Sequence, residues 1–336
     1  MKINRLALLK ALEAVKPGLA RSLVIEQSTC FVFIDGVVCT FNDEISVSHP
    51  VDVDFEGAVP AKEFYDMITK VKKEELELTV SAGTLLLVGG TAKAGIRLEE
   101  EIELPIHELG MPEEDDWIDL PDNFCEAVKF CLFSVSKDAD KDILKNVFIE
   151  RSKVISCDNN RITEYDLGKA AAKCFPLPLL IPSNAAKSIV DYEPIEYAET
   201  EGWIHFRNEN EALFSCRIIE DEYPDFSEFL EVDGDAIEFP ANTAEVLDRA
   251  AVMCQDKRVN IALETNKMII STEGANGWFK EPVRIVYTGE PIEFDIQPEF
   301  MKAMLKNNLE ATIGDSLKFE GDNYIHVVNL MEPKAK

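Results

Sequence analysis

The chain has 336 residues, 46% of them hydrophobic, and its 63 acidic against 34 basic residues give a formal net charge of −29. That length allows two or three domains, each with a core of its own, while so acidic a balance argues against a polyanionic partner unless the positive charge is gathered on one kind of surface. Eight cysteines without a CxxC pair and four scattered histidines offer neither a zinc site nor a disulfide framework and suit free thiols in a reducing cytoplasm, and no apolar run approaches the ~20 residues that a membrane span needs.

The first helix is expected over 4–16, opened by Asn4 ahead of Arg5-Leu6-Ala7-Leu8-Leu9. Arg5, Lys10 and Glu13 interrupt its apolar pattern, which fits a surface helix and not a secretory segment. Strand-type residues follow at 29–34. A second helix, over 60–73, is announced by proline in Val59-Pro60-Ala61-Lys62-Glu63-Phe64. Strands at 77–80 and 84–88 flank the turn Ser81-Ala82-Gly83, a hairpin signal. The run from Val88 through Gly89 and Gly90 to Gly95 has the glycines of a phosphate loop. It lacks the Gly-Lys-Ser/Thr ending and a following helix, so a hairpin turn is expected. An acidic joint at 112–117 closes this stretch, and like Glu99-Glu100-Glu101 it lacks the spacing of a calcium loop.

The pattern then recurs twice. Asn123 opens a helix over 122–137 and Pro182 one over 182–194, with strands at 147–150 and 203–207. After a second acidic joint at 231–235, Asn242 opens 242–258 and Pro298 opens 297–306, with strands at 260–264, 267–271 and 316–320. Asn4, Asn123 and Asn242 are 119 residues apart, a period far too long for a solenoid. Three tandem α+β domains are therefore expected, at 1–118, 119–235 and 236–336, each with two helices packed on antiparallel sheets.

Charge follows element type. The six helical segments together carry a net +4, so the strands and loops carry the whole of the net negative charge. Lysine is a good helix former and accumulates in helices for that reason alone. The sharper reading is a surface of helices facing a polyanion.

Two stretches of the second repeat point to a family. Ser156-Cys157-Asp158-Asn159-Asn160-Arg161-Ile162 and the segment from Arg217 through Tyr223-Pro224-Asp225-Phe226 resemble motifs of the bacterial DNA sliding clamp, the β subunit of DNA polymerase III. The three-repeat layout, the helix start at 59–64 and the ending at 324–330 are similar too, so the resemblance spans nearly the whole chain. It implies three processivity-clamp domains forming half of a closed ring, a head-to-tail homodimer with the helices around the hole. Twelve helices spaced ~10 Å apart make a circle of about 120 Å, which leaves nearly 30 Å clear after a helix radius of ~5 Å is removed on each side. A duplex fits with room for water, and weak, sequence-independent phosphate attraction would centre it without stopping it from sliding.

The partners implied are double-stranded DNA, a second copy of the chain, and peptides from a polymerase and a clamp loader. No cofactor or catalytic residue is implied. Arg21 aligns with an arginine that touches DNA, and Lys73, Lys137 and Lys257 lie at or just beyond helix ends on the same logic. A polar family position near DNA falls at Asp138, whose charge would repel phosphate. The peptide cleft carries over to Leu144, Cys157, Arg161, Ile162, Pro224, Phe229 and Val327, with Val328 replacing Val327 if the last strand shifts by one residue. The family's Gly-His pair is here Asn159-Asn160 and its terminal Met-Pro is Asn329-Leu330, which implies an altered peptide preference. The ring seam would use Ile96 and Leu98 on one side and Val252 and Met253 on the other.

Competing functions fare less well. An acidic DNA mimic should be acidic on every face, whereas these helices are net basic. A hydrolase would need a Ser/His/Asp or metal constellation, and His49, His107, His205 and His326 stand alone.

Overall fold

The computed structural model describes residues 1–23, 25–138, 142–254 and 256–333. Among them six α-helices and 24 strands follow one order six times over: a short strand, a helix, then a meander of three strands. The first pass is β1 (Lys2–Asn4), α1 (Arg5–Val15), β2 (Cys30–Ile34), β3 (Val37–Phe41) and β4 (Ile45–Pro50); the second is β5 (Gly57–Pro60), α2 (Ala61–Lys70), β6 (Glu75–Ser81), β7 (Thr84–Gly89) and β8 (Ala92–Arg97). The third is β9 (Ile118–Asp119), α3 (Phe124–Cys131), β10 (Asn146–Glu150), β11 (Lys153–Cys157) and β12 (Arg161–Asp166); the fourth is β13 (Leu179–Pro182), α4 (Ser183–Tyr192), β14 (Glu196–Thr200), β15 (Trp203–Arg207) and β16 (Leu213–Arg217). The fifth is β17 (Asp235–Glu238), α5 (Thr243–Met253), β18 (Val259–Glu264), β19 (Lys267–Gly274) and β20 (Gly277–Arg284); the sixth is β21 (Ile292–Ile296), α6 (Pro298–Leu305), β22 (Glu310–Ile313), β23 (Ser316–Glu320) and β24 (Tyr324–Asn329).

The leading strands are exchanged in pairs. β1 joins the second meander at β6 while β5 joins the first at β2; β9 joins β14; β17 joins β22 while β21 joins β18. Neighbouring passes are thus tied by hydrogen bonds that neither could make alone.

Two compact units result. One comprises Met1–Lys129 with Ala170–Asp221, the other Phe130–Lys169 with Glu222–Lys336, so the stretch 119–235 contributes to both. In the first unit an eight-stranded sheet runs β5-β2-β3-β4-β16-β15-β14-β9 beside a four-stranded sheet β1-β6-β7-β8. Its join is the antiparallel pair β4–β16, with Ile45 opposite Cys216 and Val47 opposite Phe214. In the second unit β10-β11-β12-β24-β23-β22-β17 lie beside β20-β19-β18-β21. The corresponding join is β12–β24, with Ile162 opposite Val327.

Helix starts follow the sequence. Asn4 caps α1 by accepting the Ala7 N–H at 3.0 Å, and prolines sit at the starts of α2, α4 and α6, where a missing N–H costs nothing. Asn242 caps α5 without a side-chain bond, so the recurring asparagine does not do the same work in every repeat. All six helices stop short of the expected segments. α2 ends at Lys70 because Val71 is already extended, and α3 gives way to the 3-10 turn Leu132–Ser134 before Val135 extends. α1 buries Leu8, Ala11, Leu12 and Val15, one stripe at helical spacing, and α5 likewise buries Val246, Leu247 and Ala250. The Gly89–Gly90 run forms the β7–β8 hairpin with Gly90 at φ +66°, a left-handed conformation that favours glycine.

Candidate nucleic-acid interface and partner cleft

Arg21, Lys73, Lys137 and Lys257 are all exposed. Each lies in the segment between a helix and the first strand of the meander that follows it: α1 to β2, α2 to β6, α3 to β10 and α5 to β18. None takes part in an ion pair among the described residues. The repeat therefore sets four unneutralised cations at one topological position. Lys306, the exposed C-cap of α6, occupies it too and was missed in the sequence, where it reads as the last residue of the helix. At the corresponding end of α4 stands Glu193, in a left-handed conformation at φ +52°. Asp138, beside Lys137, is exposed and its N–H donates to Ser136 Oγ at 3.1 Å.

Three other cations on or beside the helices are spent locally. Lys302 pairs with Asp248, Arg249 makes two bonds to Glu281 at 2.7 and 3.0 Å, and Lys16 lies 3.2 Å above the Tyr65 ring. Lys10, Lys62, Lys70, Lys129 and Lys187, exposed on α1 to α4, make no ion pair among the described residues either, so free positive charge lies both along the helices and beyond their ends.

The second unit holds an apolar cluster of Leu144, Cys157, Ile162, Leu230 and Val327, edged by Tyr223 and Phe226. Four of the seven residues carried over from the clamp cleft meet there. Val327 faces this cluster while Val328 enters the core on the opposite face, as strand alternation requires. Pro224 is exposed and Phe229 is 62% exposed, its ring tilted 56° to that of Phe226 with centroids 6.4 Å apart. It is the next residue, Leu230, that turns inward at the end of the 3-10 turn Ser227–Leu230. Two adjacent apolar residues give no periodic signal for which one is buried, so Leu230 was not legible.

Arg161 is buried, bound to Asp158 through Nε at 3.0 Å and held between the rings of Phe133 and Phe300 at 4.1 and 3.9 Å. Burial pulls its guanidinium below the ordinary value and Asp158 opposes that shift; a buried arginine persists only when so paired. Tyr223 Oη accepts the Cys157 N–H at 3.0 Å, and its ring stacks on Phe148 at 4.9 Å. The polar groups under the cluster are thereby fixed, which suits a preformed apolar cleft.

The seam candidates divide. Ile96 and Leu98 are buried in the chain's own core, whereas Val252 is 80% and Met253 39% exposed at the end of α5. Among the described residues β8 and β20 are outermost strands of their sheets, and β20 carries Trp278 at 70% exposure. Unpaired edges of this kind invite strand addition.

Histidines play structural parts. His205 is bracketed by Thr200 Oγ1 at 2.7 Å and Ser215 Oγ at 2.8 Å, and His326 Nδ1 lies 2.7 Å from Thr163 Oγ1. Burial lowers them to about 4 and about 3 respectively, the latter also pushed down by Arg161. His49 is partly exposed, and the side chain of His107 lies outside the described set. No group of His, Cys, Asp or Glu among the described residues could hold a metal ion. Because the folded state resists protonating His205 and His326, the unfolded chain binds more protons between pH 6.5 and about 4, so stability is full above pH 6.5 and falls as pH drops. Urea unfolding between pH 6.5 and 5 should lose up to about 2.7 kcal/mol per pH unit from two such groups. A flat profile would mean that these imidazoles are not sequestered.

No protein-family model matches the chain, and no curated protein sequence does. Solved structures do. The DnaN sliding clamp (DNA polymerase III subunit beta) of Bartonella birtlesii superposes with a TM-score of 0.86 at 15% identity, covering 99% of both chains. The DNA polymerase III beta chain of Streptococcus pneumoniae gives 0.85 at 17% identity and the beta subunit of Thermotoga maritima 0.83 at 16%, each again covering 99% of both chains. The chain thus has the fold of a processivity clamp, and the particular fold is that of the bacterial DNA polymerase III beta subunit.

Proposed function

We propose that the protein is a non-catalytic DNA sliding clamp. Two copies close head to tail into a ring around duplex DNA and tether a polymerase, which reaches the ring through a short peptide, as does the loader that opens it. The three domains are 1–118, 119–235 and 236–336, a division supported by the pairwise exchange of leading strands. The seam joins the β8 edge of one copy to the β20 edge of the other, with Val252, Met253 and Trp278 covered. The working compartment is the cytoplasm, and no helix among the described residues is long and apolar enough to cross a membrane.

The observation that carries this reading is full-length likeness to clamps combined with cations repeated at one position after successive helices. An acidic DNA mimic has no use for those cations. Converting Arg21→Glu together with Lys73→Glu, both exposed and unpaired, should weaken equilibrium binding to a short linear duplex at low salt roughly tenfold and lower its salt dependence, since each lost phosphate contact removes about one unit of salt slope. Linear-duplex affinity unchanged at every salt concentration would remove the basic-lining argument.

A further inference from the structure

The first unit contains a cavity of about 720 Å³ at the β4–β16 join, with Ile25, Phe41, Pro105, Leu109 and Trp203 among its walls. Its construction repeats that of the cleft at the β12–β24 join. In the second unit β11 ends at Cys157 and the Asp158 carboxylate accepts the N–H groups of Asn160 and Arg161 at 2.8 and 3.1 Å. In the first, β3 ends at Phe41 and Asn42 Oδ1 accepts those of Glu44 and Ile45 at 3.1 and 2.8 Å. The 3-10 turn Ser227–Leu230 buries Leu230, and the 3-10 turn Ile106–Leu109 buries Leu109. Same strand junction, same capped turn, same inward leucine: the internal repeat builds the cleft twice.

The two differ in charge. Arg217 projects over the Trp203 ring at 4.8 Å and gives two 2.6 Å bonds to Asp43, one from Nε to the backbone oxygen and one from Nη2 to the carboxylate. Its charge is thereby taken up within the wall. Glu201, exposed on the β14–β15 turn, also lines the cavity and makes no ion pair among the described residues. The mouth is left with net negative charge above an apolar floor. Gly110 and Gly202, both at positive φ, add bare backbone to the wall, which a peptide main chain can reach.

We infer that this cavity is a second peptide site, which takes a short segment with bulky apolar residues followed by basic ones. The inference rests on reading the second unit's cleft as a peptide site, and differs from it in place and in charge preference. Cavities of this size suit a few side chains, and rim charge selects the partner. Its floor tryptophan, one of three in the chain, supplies a local reporter.

The test is fluorine NMR on the full chain labelled with 5-fluorotryptophan, with the Trp203 resonance assigned by Trp203→Phe. The probe is an acetylated hexapeptide carrying Leu-Phe followed by two lysines. A saturable displacement of the Trp203 resonance is expected, weakened roughly tenfold by Glu201→Lys and restored in that variant when glutamates replace the peptide's lysines. The same displacement should persist in a chain carrying Ile162→Ala with Phe229→Ala, so failure of the other cleft leaves this result standing. A Trp203 resonance that does not move overturns the inference. So does equal displacement by basic and acidic peptides, or loss of the response when only the second unit's cleft is altered.

Discussion

Ile162→Ala combined with Phe229→Ala should weaken binding of a polymerase-tail peptide by about 100-fold or more while leaving the fold and the proposed dimer intact. Ile162 belongs to the apolar cluster at the β12–β24 join, and Phe229 stands 62% exposed beside it, placed to close over a docked side chain. Phe229 loses apolar area that only the complex buries, on the order of 1.5–3 kcal/mol, Ile162, only 8% exposed, leaves a hole in the floor on which the peptide would pack, and every 1.4 kcal/mol is about tenfold in affinity. Phe229 costs the free chain little because water already reaches it. Fluorescence anisotropy with a labelled peptide checks the loss, and light scattering of the same sample checks the dimer. Undiminished affinity would place the peptide elsewhere.

A larger change is expected at the seam. Val252→Glu with Trp278→Glu should convert a particle near twice 37.7 kDa into one near 37.7 kDa at micromolar concentration. Both side chains are largely exposed in the isolated chain, at 80% and 70%, so the substitutions do not disturb its core. In the proposed dimer the tryptophan is an anchor worth about 2–4 kcal/mol, and each glutamate would be buried without a partner at a further cost of several kcal/mol. Sedimentation or light scattering reads the mass directly. A variant that stays dimeric would show that the seam does not involve the β20 edge.

The sequence made the local elements readable and the distant pairings opaque. Every expected helix and strand has its counterpart, because apolar spacing, Asn4, Pro60, Pro182 and Pro298 act within a turn or two of the residues they organise. Helix ends were drawn too long at 60–73, 122–137 and 242–258, where Lys73, Lys137 and Lys257 continue the charge pattern past the last helical residue. What lay beyond reach was long-range. Thr163 meets His326 across 163 residues of chain, and β4 pairs with β16 across the joint at 112–117; no periodicity encodes such partners. Nor does it tell that Ile96 and Leu98 are buried while Trp278 is bare, since all three alternate equally well along a strand. The apolar cluster at the β12–β24 join was partly legible through Cys157 and Ile162 of the 156–162 motif, yet Leu230 was hidden behind Phe229 by a single turn of 3-10 helix.

Topology separates a clamp from any protein that merely grips DNA. The protein, assembled by a clamp loader on nicked circular duplex DNA and freed of unbound material by gel filtration, should remain with the circle through a high-salt wash that screens phosphate contacts. Cutting the circle once with a restriction enzyme should then release it, because a ring leaves over a free end. Protein that washes off the intact circle, or that stays bound after the cut, contradicts encirclement.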